Sequence, residues 1–184
     1  MWKKRDPVTG GYVQVPIPHK AGRMASVVKV MGSDDNRNHL IADLCLRAYN
    51  KGRKVVIFFE LIDSHLKKMR PILIKMGIPS KDIAEYIGGL TDKQRVDNAK
   101  ARVILGSYAY FSEGTDIPAL DTAILASPRS NIMQAIGRIL RVVEDKKEPV
   151  IFDIVDECSP VLVNMFHSRM RHYNVLSANI VKMS

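Results

Sequence analysis

Cysteine is scarce in this 184-residue sequence, and long apolar runs are absent. The two cysteines, Cys45 and Cys158, stand far apart and match no metal-ligand spacing, so we expect buried thiols in a reducing compartment. No apolar run approaches the roughly 20 residues that a membrane span needs. The charged N-terminus also lacks the apolar stretch of a secretory signal. These absences predict an intracellular protein without a membrane partner, in the cytoplasm or nucleus, or in the host cytoplasm if the source is viral.

Acidic residues are outnumbered, with 19 Asp and Glu against 28 Lys and Arg, which gives a formal net charge of +9. Such an excess favours an anionic partner, of which nucleic acid is the commonest. The hydrophobic share of 46% and the charged share of 26% are typical of a soluble globular protein. The first 24 residues, rich in proline, glycine and basic residues, predict an irregular lead-in or linker. Residues 25–184 are long enough for one domain with a sizeable core.

Short apolar runs alternate with longer helical patterns along residues 25–184. The runs VVIFFE, AEYI, RVILGS, TAILAS and PVIFDIV predict strands, and a further edge strand is possible after the last helix. This alternation predicts an α/β fold, a three-layer, mostly parallel twisted sheet with helices on both faces. Such sheets bind ligands at the carboxyl ends of their strands. The candidate functional loops therefore follow Glu60, Ile87, Ser107, Ser127 and Val155.

The segment QAIGRILR predicts part of a helix, from about 131 to 143, with a polar face and an apolar face. Gln134, Arg138 and Arg141 follow one another at helical spacing, with Gly137 beside them, and apolar residues lie between. A glycine costs about 1 kcal/mol of helix propensity relative to alanine. Its presence indicates that another group approaches the backbone there. On this segment alone, a solvated basic face is the favoured explanation of the arginines.

Four segments, taken in order, resemble the motifs of a known family. SYAYFSEGTDIP follows the predicted strand RVILGS, and QAIGRILR comes some 20 residues later. This pair is similar to motifs V and VI of the superfamily 2 helicases. VVIFFELIDSHL falls where that family has motif IV, and YIGGLTDKQR is similar to its intervening loop-to-helix segment. The chain thus resembles the C-terminal RecA-like domain of the family. Its motif sequences are most similar to those of the XPB-like and phage UvsW-like DNA helicase branch.

The resemblance implies a nucleotide-facing group of six residues: Gln134, Arg138, Arg141, Gly114, Asp116 and Gly137. Arg138 and Arg141 would act catalytically as arginine fingers, and Gln134 would contact the γ-phosphate or its water network. Gly114 would let the backbone approach the nucleotide, and Asp116 would accept a hydrogen bond from a ribose hydroxyl. No metal ligand is implied within this chain.

The same resemblance implies a nucleic-acid-facing group: Gly88, Gly89, Thr91 and Ser107. Backbone N–H groups in loops at strand ends can hold phosphate oxygens, a contact that gives position without sequence readout. Thr91 to Gln94 also fits a capping box that opens a short helix. Many relatives carry threonine where this chain has Ser107-Tyr108, which leaves the contacts of motif V open.

Two parts of the family's motor are missing from this sequence. It contains no G-x-x-x-x-G-K-[ST] segment, and no DExH-type magnesium site precedes the motifs. Asp156-Glu157 follows motif VI, so we interpret that pair as a loop and helix start. ATP and Mg²⁺ would then be held mainly by an N-terminal RecA-like domain, in cis or as a separate chain. The chain alone is expected to hydrolyse no ATP, although the longer protein would be an ATP-dependent helicase.

Other functions remain open from the sequence. The partner implied by the resemblance is the backbone of a single strand, with DNA favoured over RNA. A stand-alone nucleic-acid-binding or regulatory module would keep the fold without motor activity. A nuclease- or repair-associated relative would use the fold mainly to clamp DNA. A P-loop and a DExH segment encoded upstream of residue 1 would decide for the motor.

Overall fold

The computed structural model describes residues 2–5, 12–15, 24–112, 117, 119–141, 146–157 and 159–182, with the backbone alone at 2–5, 12–15, 112 and 138. Strand β1 (Trp2–Arg5) pairs antiparallel with β2 (Tyr12–Val15) in a hairpin. This pairing differs from the irregular lead-in predicted for the N-terminus. The domain boundary at residue 24 remains a prediction.

Five strands form one parallel sheet. They are β3 (Val55–Phe59), β4 (Ile83–Tyr86), β5 (Val103–Ser107), β6 (Thr122–Leu125) and β7 (Val150–Asp153). The order across the sheet is β4-β5-β3-β6-β7, and every neighbouring pair is parallel. The predicted α/β fold is confirmed.

Seven α-helices accompany the strands: α1 (Met24–Gly32), α2 (Asp35–Asn50), α3 (Lys67–Lys75), α4 (Asp92–Asn98), α5 (Tyr108–Ser112), α6 (Met133–Ile139) and α7 (Pro160–Val175). A π-helix, Ile62–Leu66, runs directly into α3, and a 3₁₀ turn, Ser80–Asp82, precedes β4. The count refers to the described residues only. Helix α1 was not predicted, because its apolar residues stand close to the polar lead-in.

Most of the core lies in two halves, one on each face of the sheet. In the central strand β3, Val55, Ile57 and Phe59 pack with α2 and α3 on one face. Val56 and Phe58 pack with α5, α6 and part of α7 on the other face. Successive strand residues point to opposite faces, so a strand covered on both sides must be apolar throughout. All five residues of β3 are buried, which explains the continuous run VVIFF.

Gly106 in β5 permits a close aromatic contact on the second face. A β-carbon placed there would lie 2.5 Å from a ring carbon of Phe111, a distance that neither the strand nor a buried ring can accommodate without movement. The ring of Phe111 lies edge-on to that of Phe58, with centroids 5.0 Å apart. The glycine of the segment ILGS therefore serves packing.

Helix and strand boundaries differ from the predicted ones at three places. Asp34, not Ser33, caps α2, and its carboxylate accepts a hydrogen bond from the backbone N–H of Arg37. Helix α6 ends at Ile139 instead of about residue 143. The ammonium of Lys146 donates to the carbonyls of Ile139 and Arg141, so it satisfies two acceptors at the end of the helix. The predicted edge strand is wrong, since residues 176–182 contain none.

Candidate functional site

Helix α6 presents the polar face that the sequence predicts. Gln134 and Gly137 are exposed, whereas Ala135, Ile136 and Ile139 are buried against the sheet. A β-carbon added at Gly137 would meet no atom within 4 Å, so the backbone there is open to an approaching group. This agrees with the approach inferred from the cost of a helical glycine.

The remaining residues predicted to face a nucleotide are less well defined. Arg141 is exposed but lies two residues beyond the last residue of α6, so it does not continue the helical stripe. Gly114 and Asp116 lie outside the described residues, and so does the side chain of Arg138. Of the six predicted residues, the described structure brings Gln134 and Gly137 onto one helix face.

The four residues predicted to face nucleic acid lie at the carboxyl ends of two adjacent strands, β4 and β5. Gly88 and Gly89 form an exposed turn, and no atom lies within 4 Å of a β-carbon added at either. Gly89 has a φ of +88°, a conformation that favours glycine. Thr91 is the N-cap of α4, and its predicted capping box with Gln94 is present. These three residues are accessible to a phosphate backbone.

Ser107 differs from the other three because it is only 6% exposed. It is the last residue of β5, and its Oγ accepts a hydrogen bond from the backbone N–H of Tyr110. The hydroxyl thus already caps the first turn of α5. A phosphate would have to reach it from the rim of the sheet.

Three buried donors hold the loop between β6 and α6, which sequence reasoning did not identify. The Arg37 guanidinium donates to the carbonyl of Ala126 at 2.6 Å. The Tyr108 hydroxyl donates to the carbonyl of Ser127 at 3.0 Å, and Arg169 donates to the carbonyl of Arg129 at 3.0 Å. The donors come from α2, α5 and α7, so three helices determine where α6 begins.

Two ion pairs, each between a buried arginine and a partly buried carboxylate, support these donors. Arg37 binds both carboxylate oxygens of Asp156, each at 3.0 Å. Arg169 binds both oxygens of Asp153, each at 2.8 Å, and Tyr173 adds a third hydrogen bond to that carboxylate. Because both oxygens of Asp156 bind a guanidinium, that residue is a structural partner and not a magnesium ligand. This supports the interpretation of Asp156-Glu157 as a loop.

His65 lies beside the same loop, close to Ser127, and it is buried and uncharged. Burial is the main cause that lowers its pKa to about 3, and the positive charges of Arg37 and Lys68 lower it further. Its Nδ1 lies 3.4 Å from the Ser127 Oγ, which in turn accepts a hydrogen bond from the backbone N–H of Glu60. The neutral imidazole therefore packs as part of the core, against the ring of Phe59.

The described residues can contact one side of a bound nucleotide, but they do not form a binding site for its metal ion. Within the described ranges, no three His, Cys, Asp or Glu side chains lie close enough together to hold a metal ion. The carboxylates of Asp153 and Asp156 are bound by arginines. An exposed glutamine, an open glycine and an exposed arginine can contact phosphates that another domain holds.

Comparison with known proteins gives the family. No family model matches the chain. It is 30% identical over 146 residues to L396 of Acanthamoeba polyphaga mimivirus, a protein provisionally named as an ATP-dependent RNA helicase; the match covers 79% of this chain and 28% of that protein. It is 26% identical over 139 residues to the ATP-dependent DNA helicase uvsW of Enterobacteria phage T4, covering 70% of this chain and 27% of the relative. The chain belongs to the superfamily 2 helicases.

The crystal structure of T4 UvsW has the same fold as this helicase domain. The TM-score is 0.66 at 23% identity, over 85% of this chain and 36% of UvsW. The helicase domain thus spans about a third or less of these relatives. It is also 34% identical over 101 residues to the uncharacterized protein 108L of Invertebrate iridescent virus 3, matching 54% of this chain and 94% of that protein. In the described part of the domain, no helix has the length and apolar character of a membrane span.

Proposed function

We propose that the helicase domain is the C-terminal motor half of an ATP-dependent helicase or translocase, acting with a P-loop-bearing RecA-like domain. That domain would be part of the same polypeptide or a separate chain. The observation that carries the proposal is the exposed polar face of α6, with Gln134 and an open Gly137 at the edge of a helicase-type sheet. Such a face suits a ligand held from the opposite side of a cleft.

ATP and Mg²⁺ would be held mainly by the other domain, since this one lacks a P-loop and a free pair of edge carboxylates among its described residues. When bound, they supply the γ-phosphoryl group and the metal that offsets its charge. Arg138 and Arg141 would bring guanidinium groups to the phosphates, and Gln134 would orient the γ-phosphate or its water. Gly114 and Asp116 would lie beside the nucleotide.

A single strand would run along the carboxyl ends of β4 and β5. Gly88 and Gly89 would admit its phosphates to the backbone N–H groups, and Thr91 and Ser107 would add hydroxyl contacts. The net charge of +9 favours such a polyanion. We propose DNA over RNA, on the sequence similarity to the ATP-dependent DNA helicase uvsW. We propose an intracellular location, in a reducing compartment, for the same protein.

Binding of a fluorescein-labelled dT20 to the 184-residue protein tests the nucleic-acid side. We expect a Kd in the micromolar range or weaker, because half of a two-domain groove contacts the strand. The logarithm of the affinity should fall linearly with the logarithm of the salt concentration, since basic side chains of the protein displace counterions from the strand. Other sequences of equal length should bind alike.

A charge placed at the open turn sharpens this test. Gly88→Asp should weaken dT20 binding about five- to tenfold at roughly 0.1 M salt, through repulsion of nearby phosphates. Ser80→Asp is the matched control, since Ser80 is exposed and lies at the opposite end of β4; it should change the Kd less than about twofold, because its charge is screened over that distance. Salt-independent binding, or equal effects of both substitutions, would contradict the proposed surface.

A second function, a stand-alone nucleic-acid-binding module, is favoured by one observation. The match to 108L covers 94% of that protein in 101 residues, so a related protein exists that is too short to include a second RecA-like domain. The source gene distinguishes the two. A P-loop and DExH segment in the same or a neighbouring reading frame supports the motor, and their absence from the genome supports the module.

A further inference from the structure

A chain of aromatic contacts crosses the second face of the sheet. Tyr86 at the end of β4 lies 5.5 Å from Phe111, centroid to centroid, and Phe111 lies 5.0 Å from Phe58. Phe58 stacks on Tyr108 at 5.1 Å, with the ring planes 14° apart. All four side chains are buried. This aromatic run links the carboxyl end of β4 with the residue that follows Ser107.

The run ends at the loop that leads into α6. The Tyr108 hydroxyl donates to the carbonyl of Ser127, and burial raises the pKa of this hydroxyl well above its usual value, so it stays a donor. The Arg129 guanidinium lies 5.2 Å from the centroid of the Tyr108 ring and pairs with Glu60 at 3.1 Å. Tyr108 therefore contacts the loop through both its hydroxyl and its ring.

Helix α6 depends on this loop for its position. It has seven residues, and its N-cap residue, Ile132, makes no side-chain capping bond. A helix this short has little stability of its own, so tertiary contacts determine its placement. A shift of the Ser127 carbonyl would thus be passed to Gln134 and Gly137 on the exposed face.

We propose that Tyr108 is a positioning residue that couples strand binding at the ends of β4 and β5 to the placement of α6. The inference rests on the proposed function and deepens it, because it names the residue through which one site influences the other. Tyr108 directly follows Ser107 in the chain, and its hydroxyl bonds to the loop before α6. A strand that displaces the end of β5 displaces Tyr108, and closely packed rings pass on such a shift instead of absorbing it.

Backbone amide NMR spectra of the ¹⁵N-labelled 184-residue protein, recorded with dT20 at saturation, test the coupling. In the wild-type protein we expect shifts both at Gly88 and Gly89 and at Ala135 and Ile136. In Tyr108→Phe, which keeps the ring and its stacking, binding should change less than about twofold. The shifts at α6 should fall to about a third of the wild-type values or less.

The matched control is Tyr86→Phe. It removes a hydroxyl that also donates to a backbone carbonyl, that of Arg95 in α4, and it keeps the aromatic run intact. At equal saturation its α6 shifts should match those of the wild type. Arg129→Met is a second variant, which removes the guanidinium that contacts the Tyr108 ring. Because this side chain is half-exposed, its replacement puts folding at little risk. The variant should also reduce the α6 shifts.

Each outcome is decisive. If wild-type protein binds dT20 without any shift at α6, or if Tyr108→Phe keeps the full response, the coupling is overturned while the proposed function stands. If wild-type protein does not bind dT20, the proposed nucleic-acid function and the coupling fall together. If Tyr108→Phe does not fold, an undiminished α6 response in Arg129→Met overturns the coupling.

Discussion

Replacing Arg141 with alanine in the complete two-domain motor should reduce strand-stimulated ATP turnover by roughly 10³- to 10⁵-fold, the range for arginine fingers in other phosphoryl-transfer enzymes. This corresponds to about 4 to 7 kcal/mol of transition-state stabilisation. ATP affinity should fall far less, because an arginine finger acts where charge develops during transfer. Turnover and ATP binding measured on the same preparation separate the two effects.

Arg141→Lys should restore little activity, since lysine keeps the charge but cannot present a planar fork of five donors. Arg47 provides the control, because it is an exposed arginine of α2 paired with Asp43. Arg47→Ala and Arg47→Lys should leave turnover unchanged. If Arg141 served only to place a positive charge near the C-terminus of α6, the lysine variant would have normal turnover. The alanine variant would then only have a lower melting temperature. Near wild-type turnover in a folded Arg141→Lys protein would end the arginine-finger assignment.

Replacing Arg169 with methionine should cost about 3–5 kcal/mol of unfolding free energy, the range for removing one partner of a buried ion pair. Arg169 is 3% exposed, and among the described residues its loss leaves the Asp153 carboxylate with Tyr173 as its remaining hydrogen-bond partner. The carbonyl of Arg129 loses its donor as well. Urea unfolding of the isolated domain, followed by circular dichroism at 222 nm, gives this quantity.

Two further variants identify the cause of the loss. Arg171→Met, two residues along α7 and exposed, removes one hydrogen bond to Ser168 and should leave the midpoint nearly unchanged. Arg169→Met combined with Asp153→Leu removes the stranded carboxylate, so it should recover much of the stability lost in the single variant. A loss below about 1 kcal/mol in Arg169→Met would mean that solvent reaches the Asp153 carboxylate.

The sheet could be predicted because a strand that is buried on both faces has several apolar residues in succession. The run VVIFF is apolar throughout, and VILGS is apolar up to its final serine; each forms an interior strand with all five residues buried. The capping box at Thr91 was also predictable, since its two partners are three residues apart. The end of α6 was not predictable, because the carbonyls of Ile139 and Arg141 accept hydrogen bonds from Lys146, a contact that helical periodicity does not record.

The candidate site was only partly predictable for a similar reason. Gln134 and Gly137 share a helix face by spacing alone, so the sequence places them together. The donors that hold the loop before α6 are distant in sequence: Arg37 and Asp156 are 119 residues apart, and Arg37 and Ala126 are 89 apart. No periodicity records such pairs. A buried arginine leaves only a weak signal, a charge on the apolar side of a helix, as with Arg169 on α7.

Stimulation of ATP hydrolysis tests the central claim most directly. The P-loop RecA-like domain that we propose as the partner is assayed alone, with the 184-residue domain, and with that domain plus dT20. The account predicts no turnover by the 184-residue domain alone, little by the P-loop domain alone, and an increase of at least about 10²-fold when both domains and the strand are present, since the arginine fingers complete the site only then. Turnover by the 184-residue domain alone, or no increase over the P-loop domain under conditions where both domains and dT20 are bound, would contradict it.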